Sequence, residues 1–245
     1  MTFSVELVPS SLEKLESDLC ELKTHFPNID TVNIVDLKKF PTRSWQACEH
    51  AKRHNYNSIP HIRAVDIDLN EPLRFAQSLL EHGVKDVLVV TGDVPTDMIH
   101  THFDSSAIQI IRKFRKELPE LNVYAALDPY RQSFVKEIAY AKEKLEAGAV
   151  GLFSQPFFDL RLLNIYAELL DGADVYWGVT TVTSSRSHSY WRNRNKAVFP
   201  AGFEPTLQWS RGFAKEAVQF ARENDQNLYF MPIKTSTKDF LEGIL

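Results

Sequence analysis

Short apolar runs rich in β-branched residues alternate along this chain with longer stretches in which apolar residues recur every three or four positions. The short runs are Phe3-Ser4-Val5, Thr31 to Val35, Ser58-Ile59-Pro60, Asp86 to Val90, Asn122 to Ala126, Ala149 to Phe153, Asp174 to Val179 and Leu228 to Met231. Runs of this length, apolar on both faces and closed by Gly, Pro or a polar residue, predict strands buried on both sides in a parallel sheet. The spaced stretches predict amphipathic helices. Strand and helix alternate throughout, in the number and length of a single (β/α)8 TIM barrel spanning residues 1–245. An open doubly wound sheet is the alternative, but no Gly-rich dinucleotide turn follows any strand.

Helix boundaries carry their own signals. Ser10 with Glu13 predicts a capping box for the first helix, with Leu12, Leu15, Leu19, Leu22 and Phe26 along its inner face. Asn70 is the expected cap of a later helix that has Pro72 in its first turn and Leu73, Ala76 and Leu80 as its stripe. Ala107, Ile111, Phe114 and Leu118 mark the next helix, which Pro119 stops. Phe134, Ile138, Ala141 and Leu145 mark another, ending near Gly148. Leu162, Ile165, Tyr166 and Leu169 are the expected stripe of the sixth helix, and Asp159 its cap. Ser184 to Asn193 and Pro205 to Glu223 are expected to be helical, the second with Phe213, Ala217 and Phe220 inward.

Composition changes this picture little. At 44% hydrophobic and 24% charged residues the chain has a globular balance. A net charge of −4 argues against nucleic-acid binding, and the basic run Arg112 to Lys116 reads as a solvated helix face beside Glu117 and Glu120. Cys20 and Cys48 form no CxxC pair and have no His at ligand spacing along the chain, which predicts reduced thiols and no metal site. His100-Thr101-His102 would point its imidazoles to opposite sides if extended, and reads as loop histidines. No apolar segment has the length of a membrane span and no leader pattern opens the chain, so a cytoplasmic protein with no membrane partner is expected.

Candidate chemistry collects where the strands end. The first strand ends in Glu6, the third in His61 and Arg63, the fourth in Gly92-Asp93 and the sixth in Gln155. In a parallel barrel these residues converge on one mouth, where two carboxylates, an imidazole and an amide supply an acid, a hydrogen-bond partner for a heterocycle and an orienting group. Glu6 stands between apolar residues, where desolvation favours its neutral, proton-donating form.

The motifs Ser4-Val5-Glu6-Leu7-Val8-Pro9, Pro60-His61, Thr91-Gly92-Asp93, Glu146-Ala147-Gly148-Ala149 and Gln155-Pro156-Phe157-Phe158-Asp159 resemble, in order and spacing, those of the methylenetetrahydrofolate reductases. The resemblance implies a barrel carrying FAD, reduced by NADH or NADPH, that passes hydride to a reduced folate, 5,10-methylenetetrahydrofolate. It implies Glu6 and Asp93 as catalytic, with Glu6 the acid that opens the five-membered ring of the folate. It further implies Gln155, Phe157 and Trp191 as substrate contacts, and His61, Asn33, Gly92, Asp93, Ala126 and Lys144 as cofactor contacts, Lys144 near the flavin pyrophosphate. The chain departs from the family at Thr91, where Arg is usual, in the Asn33 to Pro41 loop, at Leu127-Asp128-Pro129-Tyr130-Arg131, and at Met231 to Thr235. These departures fall mainly on the flavin side, so a flavin-free folate or one-carbon enzyme and a noncatalytic pterin-binding accessory subunit stand beside the FAD-dependent reductase. A homo-oligomer is also compatible with the sequence.

Overall fold

A computed structural model describes residues 1–93 and 101–245. Val94 and Pro95, which close the stretch after the fourth strand, and His100 of the His-Thr-His segment lie outside the described residues. Eight parallel strands close a barrel in chain order: β1 (Phe3–Leu7), β2 (Thr31–Ile34), β3 (Asn57–Arg63), β4 (Asp86–Val90), β5 (Asn122–Leu127), β6 (Gly151–Pro156), β7 (Val175–Thr180) and β8 (Asn227–Met231). β8 pairs back to β1 with Ser4 opposite Tyr229, which closes the ring. The alternative of an open sheet is thereby excluded.

Around it stand α1 (Leu12–His25), α2 (Ser44–Lys52), α3 (Arg74–Glu81), α4 (Ala107–Glu117), α5 (Phe134–Glu146), α6 (Leu160–Leu169), α7 (Ser185–Asn193), α8 (Leu207–Asn224) and α9 (Thr237–Leu241). Strand alternation splits the apolar residues in two. Val5, Leu7, Val32, Ile34, Val87, Val89, Val123 and Leu152 join Leu15, Leu19, Leu22, Ile111 and Phe114 of the helices in one continuous outer core. Ile59, Leu88, Phe153, Tyr176, Tyr229 and Met231 form a second cluster that fills the barrel. Phe153 and Tyr176 stack there, with centroids 4.2 Å apart.

Several helix details differ from expectation. Ser11, not Ser10, caps α1 by accepting from the Lys14 amide at 3.1 Å, and Leu12 is exposed because it lies in the first turn, off the inner face. Asn70 does not cap α3: its amide groups bond the Asp68 carboxylate, and the helix starts only at Arg74. Leu79 is fully buried there, and Leu80 only partly. On α6, Leu163 and Tyr166 face inward while Ile165 and Leu169 are exposed. Both misread stripes contain adjacent leucines, and the spacing rule cannot say which member of such a pair faces the sheet. Asp159 does cap α6, and Phe213, Ala217 and Phe220 of α8 are buried.

Two glycines fix the barrel rim. Gly178 lies beside the register shift between β6 and β7 and has no room for a side chain, since a Cβ would sit 2.6 Å from the Ser154 carbonyl and 2.9 Å from the Gln155 backbone. The Gly178 amide donates to Ser154 Oγ at 2.7 Å, and that hydroxyl donates to the Gln155 carbonyl at 2.9 Å, so the irregularity is hydrogen-bonded. Gly92 has φ 81°, and its open side is filled at 3.0 Å by Arg63 and Val65.

Candidate active site at the barrel mouth

Glu6 lies on the inner face of β1, in register with Asn33 on β2. The carboxylate of Glu6 accepts a short hydrogen bond from the hydroxyl of Tyr229 on β8. That hydroxyl is 3.5 Å from Nε2 of His61 on β3, and the two rings meet edge to face at 6.5 Å. The backbone of His61 is anchored through its carbonyl, which accepts from Ser44 Oγ at 2.7 Å. Asn33 is wholly buried; its Oδ1 accepts from Ser4 Oγ, and its Nδ2 has no partner among the described residues. A buried amide donor left unpaired costs stability, and is the kind of group a ligand carbonyl or ring nitrogen would satisfy.

Burial sets the electrostatics. It raises the Glu6 carboxyl from 4.5 to about 7, against the opposing effect of the Tyr229 hydrogen bond. It pushes His61 down to about 4, the negative charge of Asp36 opposing, so this imidazole is neutral at physiological pH. Tyr229 is held far above its ordinary value by burial and by the Glu6 charge, so it remains a donor. The result is a carboxyl group with a proton to give near neutrality, one oxygen of which is fixed by a tyrosine.

The structure thus brings together Glu6, His61 and Asn33, and adds Tyr229, which sequence reasoning missed. The signal for Tyr229 lay in the two-residue alternation of β8, which puts Tyr229 and Met231 on the inner face. Asp93 stands apart from this buried group: its carboxylate is 91% exposed, 4.0 Å from the Arg194 guanidinium, while its carbonyl accepts from Arg63 Nη2. Gln155 is exposed at the end of β6.

Other expected contacts sit elsewhere. Phe157 is 0% exposed and packs edge to face on Tyr166 and Trp177 between sheet and helices, so its ring serves the core rather than a substrate. It falls there because β6 ends at Pro156 and the chain turns outward toward α6. Trp191 is buried against Phe158 in a satellite cluster with Tyr130, Val182 and Ala197. Ala126 is half-buried on β5, and its carbonyl accepts a hydrogen bond from Lys144 Nζ.

Whether these residues suit a flavin pyrophosphate turns on Lys144 and Arg131. Lys144 is 2% exposed, is tied to Ala126 and lies 4.0 Å from the centroid of the Tyr140 ring. Burial lowers it to about 8, against the Glu137 charge. Arg131 Nη2 reaches Glu137 Oε2 at 3.1 Å, and Glu137, 0% exposed, also accepts from Gln132 Nε2 and the Asp128 amide. Both cations are thus committed to neighbours inside the protein. As placed, they do not fit a solvent-facing pyrophosphate, whereas Asn33 Nδ2 and Glu6 fit a compact heterocycle.

Fold and mouth define a (β/α)8 protein with a proton-donating carboxyl and a neutral imidazole at the strand ends. The chain belongs to the methylenetetrahydrofolate reductase family, whose model, described as methylenetetrahydrofolate reductase, matches residues 2–177. It is 24% identical over 110 residues to the 5,10-methylenetetrahydrofolate reductase of Buchnera aphidicola subsp. Schizaphis graminum, a stretch covering 44% of this chain and 38% of that one. Among solved structures it resembles a protein described as a deoxyribose-phosphate aldolase from Toxoplasma gondii ME49, with TM-score 0.56, 11% identity, and 98% and 93% of the two chains covered. It also resembles oxaloacetate acetylhydrolase, with TM-score 0.55, 8% identity, and 95% and 75% covered. At such identities the structural likeness shows the barrel alone. No helix among the described residues is long and apolar enough to cross a membrane.

Proposed function

We propose that the protein is an oxidoreductase acting on a reduced folate, converting 5,10-methylenetetrahydrofolate to 5-methyltetrahydrofolate with a nicotinamide nucleotide as the source of hydride. The observation that carries this reading is Glu6: a carboxyl lifted to about 7 inside the barrel mouth, beside a buried amide donor that has no partner among the described residues. In this reading Glu6 gives its proton to a nitrogen of the folate's five-membered ring. The carbon–nitrogen bond breaks with its electron pair going to that nitrogen, and the one-carbon unit becomes the electrophile that accepts hydride. Tyr229 holds the carboxyl in place, Asn33 Nδ2 donates to the pterin, and neutral His61 offers a hydrogen bond without adding charge. Asp93 and Gln155 act from the rim, on the nicotinamide or the folate tail.

Family membership supports FAD as the carrier of hydride, while the commitment of Lys144 and Arg131 to Ala126 and Glu137 favours a second reading, in which the nicotinamide delivers hydride directly. The test is folate-dependent oxidation of NADH or NADPH by flavin-stripped protein. Product formed without FAD supports direct delivery, and product formed only when FAD is added supports the flavin route. No product under either condition overturns the proposed reaction.

A further inference from the structure

Away from the mouth, in the outer helical layer, four side chains of metal-ligating type meet across two helices. Glu16 and Cys20 are one turn apart on α1. His50 lies in the last turn of α2, and His54 follows just after that helix ends. Both imidazoles turn the same nitrogen toward one carboxylate: His50 Nε2 is 2.5 Å from Glu16 Oε2, and His54 Nε2 is 2.9 Å from Glu16 Oε1. Cys20 Sγ is 4.0 Å from Glu16 Oε1. The ligand atoms of Glu16, Cys20 and His54 all lie within 4.8 Å of one another.

A salt bridge needs only one of these imidazoles. His54 Nε2, the Glu16 carboxylate and the Cys20 thiol supply instead three donors of the kind found in a tetrahedral site, whose ligand atoms stand roughly 3.3–3.8 Å apart around a Zn2+ ion. The spacings from Glu16, 2.9 Å to His54 and 4.0 Å to Cys20, bracket that range, and the residues are exposed enough to admit an ion: side-chain exposure is 42% for Glu16 and 30% for His54, and Cys20 is exposed. A thiolate with an imidazole selects a borderline metal such as Zn2+ over Mg2+ or Ca2+, which prefer oxygen ligands. Spacing along the chain gave no sign of this site, because the cysteine and the histidines lie in different helices.

We propose that Glu16, Cys20 and His54 form a Zn2+-type metal site that ties α1 to the end of α2, with His50 holding the Glu16 carboxylate from the side. These helices follow β1 and precede β3, the strands carrying Glu6 and His61, so a bound ion would brace the wall behind the mouth.

The test uses the full, tag-free chain stripped with a chelator and titrated with Co2+ as a spectroscopic stand-in for Zn2+. One equivalent should give the ligand-field bands of a tetrahedral ion and a thiolate charge-transfer band, and Zn2+ should abolish both. Cys20→Ser should remove the charge-transfer band, Cys48→Ala should keep it, and His54→Ala should weaken binding at least about 10–100-fold. Absence of stoichiometric binding, a thiolate band that survives Cys20→Ser, or unchanged affinity in His54→Ala overturns the proposal.

Discussion

Replacing Glu6 by Gln keeps a group of the same shape that still accepts the Tyr229 hydroxyl, and removes the titration. In the unfolded chain the carboxyl ionises near 4.5, and in the folded protein burial raises this to about 7. The folded state therefore holds this proton more tightly than the unfolded state. The stability it contributes is fully present below 4.5 and is lost as pH rises through about 7, where a carboxylate must be accommodated inside the barrel. A rise from 4.5 to about 7 corresponds to roughly 3 kcal/mol at about 1.36 kcal/mol per pH unit, an upper figure because the residue is only partly shielded from water. The glutamine variant has no such loss, and other ionisable groups titrate alike in both proteins. Urea unfolding between pH 4.5 and 8.5 should therefore show the variant gaining on the wild type by up to roughly 3 kcal/mol, with the gain levelling off above pH 7. A difference between the two proteins that stays flat with pH would refute the buried, proton-holding carboxyl.

Tyr229→Phe removes the hydroxyl that stabilises ionised Glu6. A hydrogen bond to a charged group is worth about 1.5–3 kcal/mol, so the Glu6 titration followed by carboxyl carbon NMR should move up from about 7 by about 1–2 pH units. A titration that stays put or moves down would contradict the pairing. Glu137→Ala strips Arg131, Gln132 and the Asp128 amide of a shared acceptor that is wholly buried, and should cost about 3–5 kcal/mol in urea unfolding. A cost below about 1 kcal/mol would show that Arg131 is free to serve a ligand.

The barrel was legible in the sequence because its strands are short, buried on both faces and regularly spaced by amphipathic helices, so one pattern repeats eight times. Helix faces were less so. Leu79-Leu80 and Leu162-Leu163 each offer two apolar neighbours, and only contact with the sheet decides which turns inward. At the mouth, strand position was enough to select Glu6 and His61, and Asn33 came only with the family resemblance. Tyr229 escaped notice because a tyrosine in an apolar strand reads as core, and it is core, with its hydroxyl alone reaching the carboxyl. Phe157 and Lys144 show the converse. Their motifs match the family, but their side chains are set by the turn after β6 and by the Ala126 carbonyl, neither of which a linear pattern displays.

The account rests on Glu6 as a proton donor to a reduced folate, and this is tested most directly by comparing wild type with Glu6→Gln. The quantities are formation of 5-methyltetrahydrofolate, followed by mass spectrometry, and the dissociation constant of the folate for each protein. A positioned acid contributes about 10²–10⁴-fold in rate. The prediction is a loss of that size in turnover with folate affinity within a few-fold of wild type. Turnover equal in the two proteins, or a loss traced wholly to weaker binding, would contradict it.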